Sequence, residues 1–575
     1  ALQAQQELER RAAAEQVETG ETTVSRDGID LPQPDTGNVP RANELTDGIT
    51  LGRNRAEVLA ENTDRVKINT NRLHGSINLQ GGQLDDLTLG DYYVTVEREE
   101  EVALLSPVGS ENPYYANVGW ITQNTAVSVP NDDSQWELVS DNAELAVDAP
   151  VALRWDNGAG LVFDRVISLD EHYMFTVEQT VTNNTDEAVT LFPYSLAARR
   201  NVPQATEFFI LHEGPLGVFD ETLRELSYGE LRDEAAQAGG RFTERFDSEG
   251  GWIGITDKYW LISLIPQDQT AEITGRITYR TTRDQYQIDL LHEGRTIEPG
   301  SQTAITSHIF AGAKEVQLLD MYAEDLSIPR FDRAVDFGWF YFLTKPFFYA
   351  LAFLFNLLGN FGLAILAFTV VIKLIFFPLA NKSYKSMSAL RKIQPRLLEL
   401  REKYSDDKVR LQQEMMKLYK EEGVNPLSGC LPILIQIPVF FALYKVLFVS
   451  IEMRHTPFYG WIQDLSVPDP TSMWNLFGLL PFEGPAFLAV GLWPLLMGIT
   501  MFLQMRLNPT PPDPIQAKVF MFMPVIFTFL LATFPAGLVI YWTWNNLLSI
   551  IQQSVIMHRM GVKVSFFGSD QPDKT

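Results

Sequence analysis

Two hydrophobic rhythms divide the chain near residue 330. From about Val66, apolar and polar residues alternate in strand-length runs: VKINTNRLHGSINLQGGQLDDLTL, YYVTVERE, DAPVALRWDNGAGLVFDRVISL, YMFTVEQTVTNN and EAVTLFPYSL. A second set follows at GWIGITDKYWLISLIPQ, AEITGRITYRTT, YQIDLLHEG and QTAITSHIFAG. Alternation punctuated by Asp-Asn-Gly, Asn-Asn and Gly-Gly predicts antiparallel sheets packed as a sandwich over residues 51–325. Between the two sets, residues 204–246 read as helix or loop. Tyr114, Tyr115, Trp155 and Trp252 are candidates for a groove, with core packing the stronger expectation.

Beyond residue 330 the apolar runs become long enough to cross a bilayer. The aromatic-rich stretch 335–358, broken at Lys345-Pro346, is expected to lie along the outer membrane surface. Residues 361–380 form a twenty-residue run that as a helix just spans the ~30 Å hydrocarbon core. Further spans are expected at 431–450, 486–505, 519–534 and 535–556, the last two divided at Phe534-Pro535-Ala536-Gly537.

Residues 381–425 are polar. Tyr384, Met387, Leu390, Ile393, Leu397 and Leu400 recur every three or four residues as one helix stripe, and Ser405-Asp406-Asp407 offers a cap for a second helix. The two make a helical hairpin carrying eleven Lys/Arg, with Pro395 expected to kink its first arm. The predicted fold is thus an α-helical membrane protein with five visible transmembrane helices around a hydrophilic groove, plus an all-β sandwich and a cytoplasmic hairpin.

Charge orients these pieces. Net charge is −31 before Phe331 and +5 from there on. The basic hairpin belongs in the cytoplasm, which puts the sandwich and the acidic 451–485 loop outside and the 506–518 loop and 557–575 tail inside. Residues 1–50, polar and acidic, read as a tether. So acidic a first part is a poor nucleic-acid binder.

No P-loop, Gly-x-Ser-x-Gly or dinucleotide fingerprint occurs. His172, His212, His292 and His308 lack the spacing of zinc ligands. The chain therefore reads as no enzyme, with no cofactor, metal or nucleotide. The lone Cys430 excludes an intramolecular disulfide.

One charge stands out. Lys373 lies within the 361–380 run, seven residues and roughly 10 Å from its cytoplasmic end. A charge deep in a membrane helix costs on the order of 2.5 to 3.5 kcal/mol, and the other long runs contain no Asp or Glu. A hydrated, positively charged pocket without an internal counter-ion is the simplest account. Lys445, five residues from the outer end of its span, is expected to snorkel without a role.

The stretches GNFGLAILAFTVVIKLIFFPL, QPRLLELREKYSDDK, QQEMMKLYKEEGVNPLSGCLPILIQIPVFFALY and FMPVIFTFLLATFPAGLVIYWTWNNLLSIIQQ resemble the YidC/Oxa/Alb family of membrane insertases, of the Gram-negative type with a large periplasmic domain. The resemblance covers nearly the whole chain. It implies a groove open to cytoplasm and lipid but closed outside, in the inner membrane, inserting and helping to fold membrane proteins alone or with the Sec translocon. Implied partners are nascent membrane proteins, lipids, and ribosome or targeting factors reaching the hairpin and loops.

Family members of this type normally begin with a signal-anchor helix, so a span is expected before Ala1. Their groove cation is most often arginine, whereas here it is Lys373, which keeps the charge but loses the planar fork. The short, mildly basic tail argues against a tail-mediated ribosome contact.

The expected groove residues are Lys373 as electrostatic anchor, Thr369 one turn away, Gln436 on the next span, and Tyr541 and Asn545 on one face of the last. Trp542, with Tyr541, matches family positions that touch substrate. Competing readings are a small-molecule or ion transporter, and an envelope scaffold or receptor acting through the sandwich.

Overall fold

The computed structural model describes residues 53–202, 211–423, 431–477, 480, 489–508 and 514–561. The expected tether 1–50, Cys430, residues 486–488 of the third expected span, residues 509–513 of the cytoplasmic loop and the tail beyond residue 561 lie outside these.

The alternating half of the chain forms two facing sheets, of eleven and nine strands among the described residues. At the centre of one, Tyr114–Ile121 pairs with Val189–Arg200; at the centre of the other, Met174–Asn183 lies between Leu161–Leu169 and Gln302–Ala313. Named strands pair antiparallel except Arg65–Asn69 with Glu144–Leu145. Along Leu161–Leu169 the period of two sends Leu161, Phe163, Arg165, Ile167 and Leu169 inward.

Arg165 is the polar member of that row. Its guanidinium donates to the carbonyls of Gly82 and Val118 in the facing sheet, each at 2.5 Å, and packs over Trp136. Burial pushes its pKa down to about 10.

Two sequence expectations change here, and one strand escaped them. The run YYVTVERE is not a strand: pairing stops at Tyr93, residues 94–97 turn, and the next strand is Glu101–Leu105. Residues 204–246 hold more sheet than expected, with strands Gly214–Phe219 and Thr222–Glu225 before helix Tyr228–Gln237 and a further strand from Arg241; residues 203–210 lie outside the described set. Strand Tyr114–Ile121 is buried along its whole length and so carries no alternation to read. Tyr114, Tyr115 and Trp252 are buried, and Trp155 packs on Phe163, so these aromatics serve the core.

The described helices are α1 (Arg55–Glu61), α2 (Tyr228–Gln237), α3 (Val316–Asp325), α4 (Tyr341–Leu358), α5 (Phe361–Ile375), α6 (Phe377–Lys403), α7 (Lys408–Glu421), α8 (Leu431–Val449), α9 (Leu492–Leu507), α10 (Pro514–Leu531) and α11 (Ala536–Arg559). One apolar cluster runs without a break from the sandwich through Phe331 and Phe337 into Leu443, Ile365 and Ile540 of the helices.

Among the described residues α4 alone has the length and hydropathy to cross a membrane as a single straight helix. Its first half is nonetheless held by the sandwich side. Lys345 Nζ lies 2.7 Å from both Asp320 and Asp332, while Tyr341 and Tyr349 donate to Asp332 and Asp320. Gly359, at φ +67°, then reverses the chain, and the Asn360 side chain caps α5 by accepting from Leu363 N–H at 3.0 Å. The rings of Phe347 and Phe368, and of Phe355 and Phe361, meet in antiparallel order across the turn.

The expected 361–380 helix is not continuous. It breaks at Phe376, and α5 and α6 meet at 70°. Pro378 lacks the N–H that would bond back to Leu374, and at the start of a new helix that loss carries no penalty. Lys373 therefore lies in the last turn of α5, two residues from its end. α6 runs through Pro395 as one helix, and Asp407 caps α7 by accepting from Arg410 N–H at 3.0 Å.

The third expected span starts late, at Leu492. That is where Thr471 Oγ1 and Asp469 Oδ2 receive the first free N–H groups, of Leu492 at 3.0 Å and Trp493 at 2.9 Å.

Candidate functional site

Three helices bring the expected groove residues together. The last turn of α5 carries Lys373, whose Nζ donates to Ser549 Oγ on α11 at 2.6 Å. Ser549 in turn donates to the Asn545 carbonyl at 2.8 Å. No carboxylate pairs with Lys373 among the described residues. A cavity of about 40 Å³ borders it, lined by Ile372, Phe376, Tyr384, Gln436 and Val439 among others. That is room for roughly two or three waters.

Gln436 on α8 reaches across this space and donates its side-chain amide to the Tyr541 hydroxyl on α11. Tyr541 is itself buried. Trp542, one residue on, faces elsewhere: its ring packs between Phe440 at 4.5 Å and Phe527 at 5.9 Å. Thr369 is also turned away, buried with its hydroxyl donating to the Ile365 carbonyl of its own helix at 2.7 Å. Asn545 is buried and joins the site through its backbone carbonyl.

The structure thus gathers Lys373, Gln436 and Tyr541 and adds two residues that sequence reasoning passed over. Ser549 was within reach, because Tyr541, Asn545 and Ser549 continue the same four-residue spacing by one more turn. Tyr384 was read only as part of the hairpin stripe. The bend at Phe376 is what swings it back beside Lys373.

At the outer end, the loop after α8 ties down the start of α11. Backbone carbonyls of Val467 and Leu465 accept the first N–H groups of α11, from Ala536 at 2.7 Å and Gly537 at 3.0 Å. Asp469 ties the same loop to Trp461 Nε1 and to the start of α9.

Lys445 does not simply snorkel. Its ammonium lies 2.7 Å from Asp336 Oδ2, and the Asp336 carboxylate also accepts the backbone N–H groups of His212 and Gly338, each at 3.0 Å. The pair pins α8 to the segment leaving the sandwich, a partner out of reach of any argument confined to one span.

Residues 65–350 match the family described as the YidC periplasmic domain, and residues 353–563 the 60Kd inner membrane protein family. The membrane protein insertase YidC of Methylobacterium nodulans is 53% identical over 519 residues, covering 89% of this chain and 85% of its own. This chain belongs to the YidC family of membrane protein insertases.

The YidC of Sinorhizobium medicae agrees, at 52% identity over 505 residues with 88% and 83% of the two chains covered. A solved structure of active YidC insertase, with its first transmembrane domain resolved, is 18% identical, covers 85% of this chain and 92% of that one, and superposes at a TM-score of 0.36. Membership of the YidC family places the helices in the inner membrane and the sandwich in the periplasm.

Proposed function

We propose that the chain inserts membrane proteins from the cytoplasmic side, using Lys373 to draw the acidic outer end of a substrate into the membrane. The observation that carries this reading is the Lys373 ammonium, set among apolar helices with one serine hydroxyl as its partner among the described residues. An ammonium so placed keeps most of its attraction for an incoming carboxylate, because among the described residues no neighbouring carboxylate already neutralises it.

Gln436 and Tyr541 supply neutral polar groups beside the cation, and Trp542, packed between Phe440 and Phe527, holds α11 against α8 and α10. Thr369 and Asn545 support the two helices that meet at Lys373. The drive is partition of the substrate's apolar segment into lipid, helped by the membrane potential at ~2.3 kcal/mol per charge per 100 mV. No nucleotide is required.

The same reading assigns the remaining parts. α4 stays at the periplasmic surface, supported by the ties of Tyr341, Lys345 and Tyr349 to Asp320 and Asp332. The distal hairpin, where Arg396 and Glu422 form an exposed pair at 2.7 Å, receives ribosomes or targeting factors. Lateral release of substrate beside α8 and α10 serves work alone or next to the Sec translocon.

The test is complementation of a depleted strain with Lys373→Arg, Lys373→Ala and Lys373→Glu at matched protein levels. Protease accessibility is followed for a single-span substrate with acidic outer residues. Insertion by the Arg variant, with loss in Ala and greater loss in Glu, supports the anchor. Equal insertion by all three overturns it.

A further inference from the structure

A cavity of about 960 Å³ opens where the sandwich meets the membrane helices. Its walls come from three places: the sandwich edge with His212 and Glu225, the connecting segment with Arg333 and Phe340, and the outer half of α8 with Phe441 and Tyr444. At its rim Trp339 is 99% exposed, and nearby Phe342 is 74% exposed. Exposed aromatic rings at the foot of a periplasmic domain belong at the headgroup level of the bilayer.

The charges in the cavity divide into used and unused. Lys445 and Asp336 satisfy each other, and Glu230 accepts from the Ser227 hydroxyl and N–H in capping α2. Arg333 lies flat over the Tyr341 ring, 3.5 Å from its centroid, with no carboxylate partner among the described residues. Glu225, at the end of an edge strand, makes no hydrogen bond or ion pair among them either, although Lys445 and Lys314 act on its charge from a distance. One cation and one anion thus line a shared space, neither held in an ion pair among the described residues: Arg333 acts on Asp332 only from a distance, as the two lysines do on Glu225.

We propose that this cavity holds the headgroup of a zwitterionic aminophospholipid from the periplasmic leaflet, its phosphate on Arg333 and its ammonium on Glu225. The guanidinium fork suits a phosphate, and stacking on Tyr341 leaves its edge free to donate. An anionic headgroup would satisfy Arg333 and leave Glu225 facing like charge. A basic peptide would do the reverse. Only a group carrying both charges satisfies both residues, and the acyl chains leave past Trp339 and Phe342 into the leaflet.

The test uses the full chain purified in detergent, with native mass spectrometry reading retention of phosphatidylethanolamine against phosphatidylglycerol of identical acyl chains. The wild type is expected to retain phosphatidylethanolamine preferentially. Arg333→Ala lowers that retention about tenfold, the scale of one charged hydrogen bond. Glu225→Gln, isosteric and on an exposed edge, removes the preference between the two lipids.

Thermal melting alongside wild type controls for folding, and Arg333→Lys gives an intermediate loss should Arg333→Ala unfold. Equal retention of both lipids by the wild type overturns the proposal. So does a preference that survives both substitutions, or displacement of both lipids by a lysine-rich peptide.

Discussion

Lys373 Nζ and Ser549 Oγ meet at 2.6 Å across the α5–α11 contact, a cation answered among the described residues by a single neutral hydroxyl. Such an arrangement is retained at the expense of stability, so stability and function should separate on mutation. Lys373→Met is expected to raise thermal stability in detergent by on the order of 1 to 3 kcal/mol while abolishing insertion of substrates with acidic outer ends. Ser549→Ala does the opposite in kind: stability falls by about 1 kcal/mol and insertion survives. Melting curves and a protease-protection assay on the same preparations check both.

Tyr541 and Trp542 are neighbours with different tasks. Tyr541→Phe removes the acceptor of the Gln436 amide, which within a membrane bundle costs only ~0.6 kcal/mol. Trp542→Ala empties the space between Phe440 and Phe527 and costs about 3 kcal/mol. If denaturation in mixed micelles shows the larger loss for Tyr541→Phe, the assignment of Trp542 to packing is wrong.

The Lys445 and Asp336 pair joins the bundle to the sandwich's exit segment. Lys445→Met removes the cation paired with Asp336 and leaves the carboxylate its two backbone donors, and Asp336→Asn removes the carboxylate charge beside the ammonium. A double-mutant cycle on thermal stability is expected to give a coupling of about 1 to 3 kcal/mol. Limited proteolysis should show each single variant cleaved faster between residues 326 and 340 than the double variant.

Glu452 supplies a pH dependence. It is buried just after α8, one oxygen accepting Val316 N–H at 3.1 Å at the start of α3, the other without a partner among the described residues. Burial, with a smaller push from Glu315, raises its pKa from 4.5 to about 7. The folded state therefore holds a proton that the unfolded state gives up. This contribution to stability is fully present below pH 4.5 and is lost as pH rises through 7. Glu452→Gln, still able to accept from Val316, should flatten the profile and melt higher than wild type at pH 8. A parallel fall in both proteins between pH 5 and 8 would exclude Glu452 as the source.

Legibility in the sequence followed the physics of each element. Half-buried strands such as Leu161–Leu169 announce themselves by alternation, and long apolar runs such as α8 and α11 by length, because solvent differs sharply on the two sides. Tyr114–Ile121 has no polar side and gave no signal. The bend at Phe376 was written in Pro378, yet a proline near a helix end permits either a stop or a corner, and only packing decides. Lys373 was visible because a lone charge in an apolar run is rare. Its partner Ser549 was hidden, since a small hydroxyl on a helix face usually bonds only to its own backbone.

The corner at Phe376 also bears on the bilayer itself. α5 has fifteen residues and rises about 22 Å, well short of a ~30 Å hydrocarbon layer. The apolar residues after the 70° bend, Phe377 to Ala380, run sideways and add little depth. A helix this short is matched by thinning of the lipid beside it or by flanking residues snorkelling to the headgroups. The barrier a substrate crosses there is set by local membrane thickness as much as by any side chain.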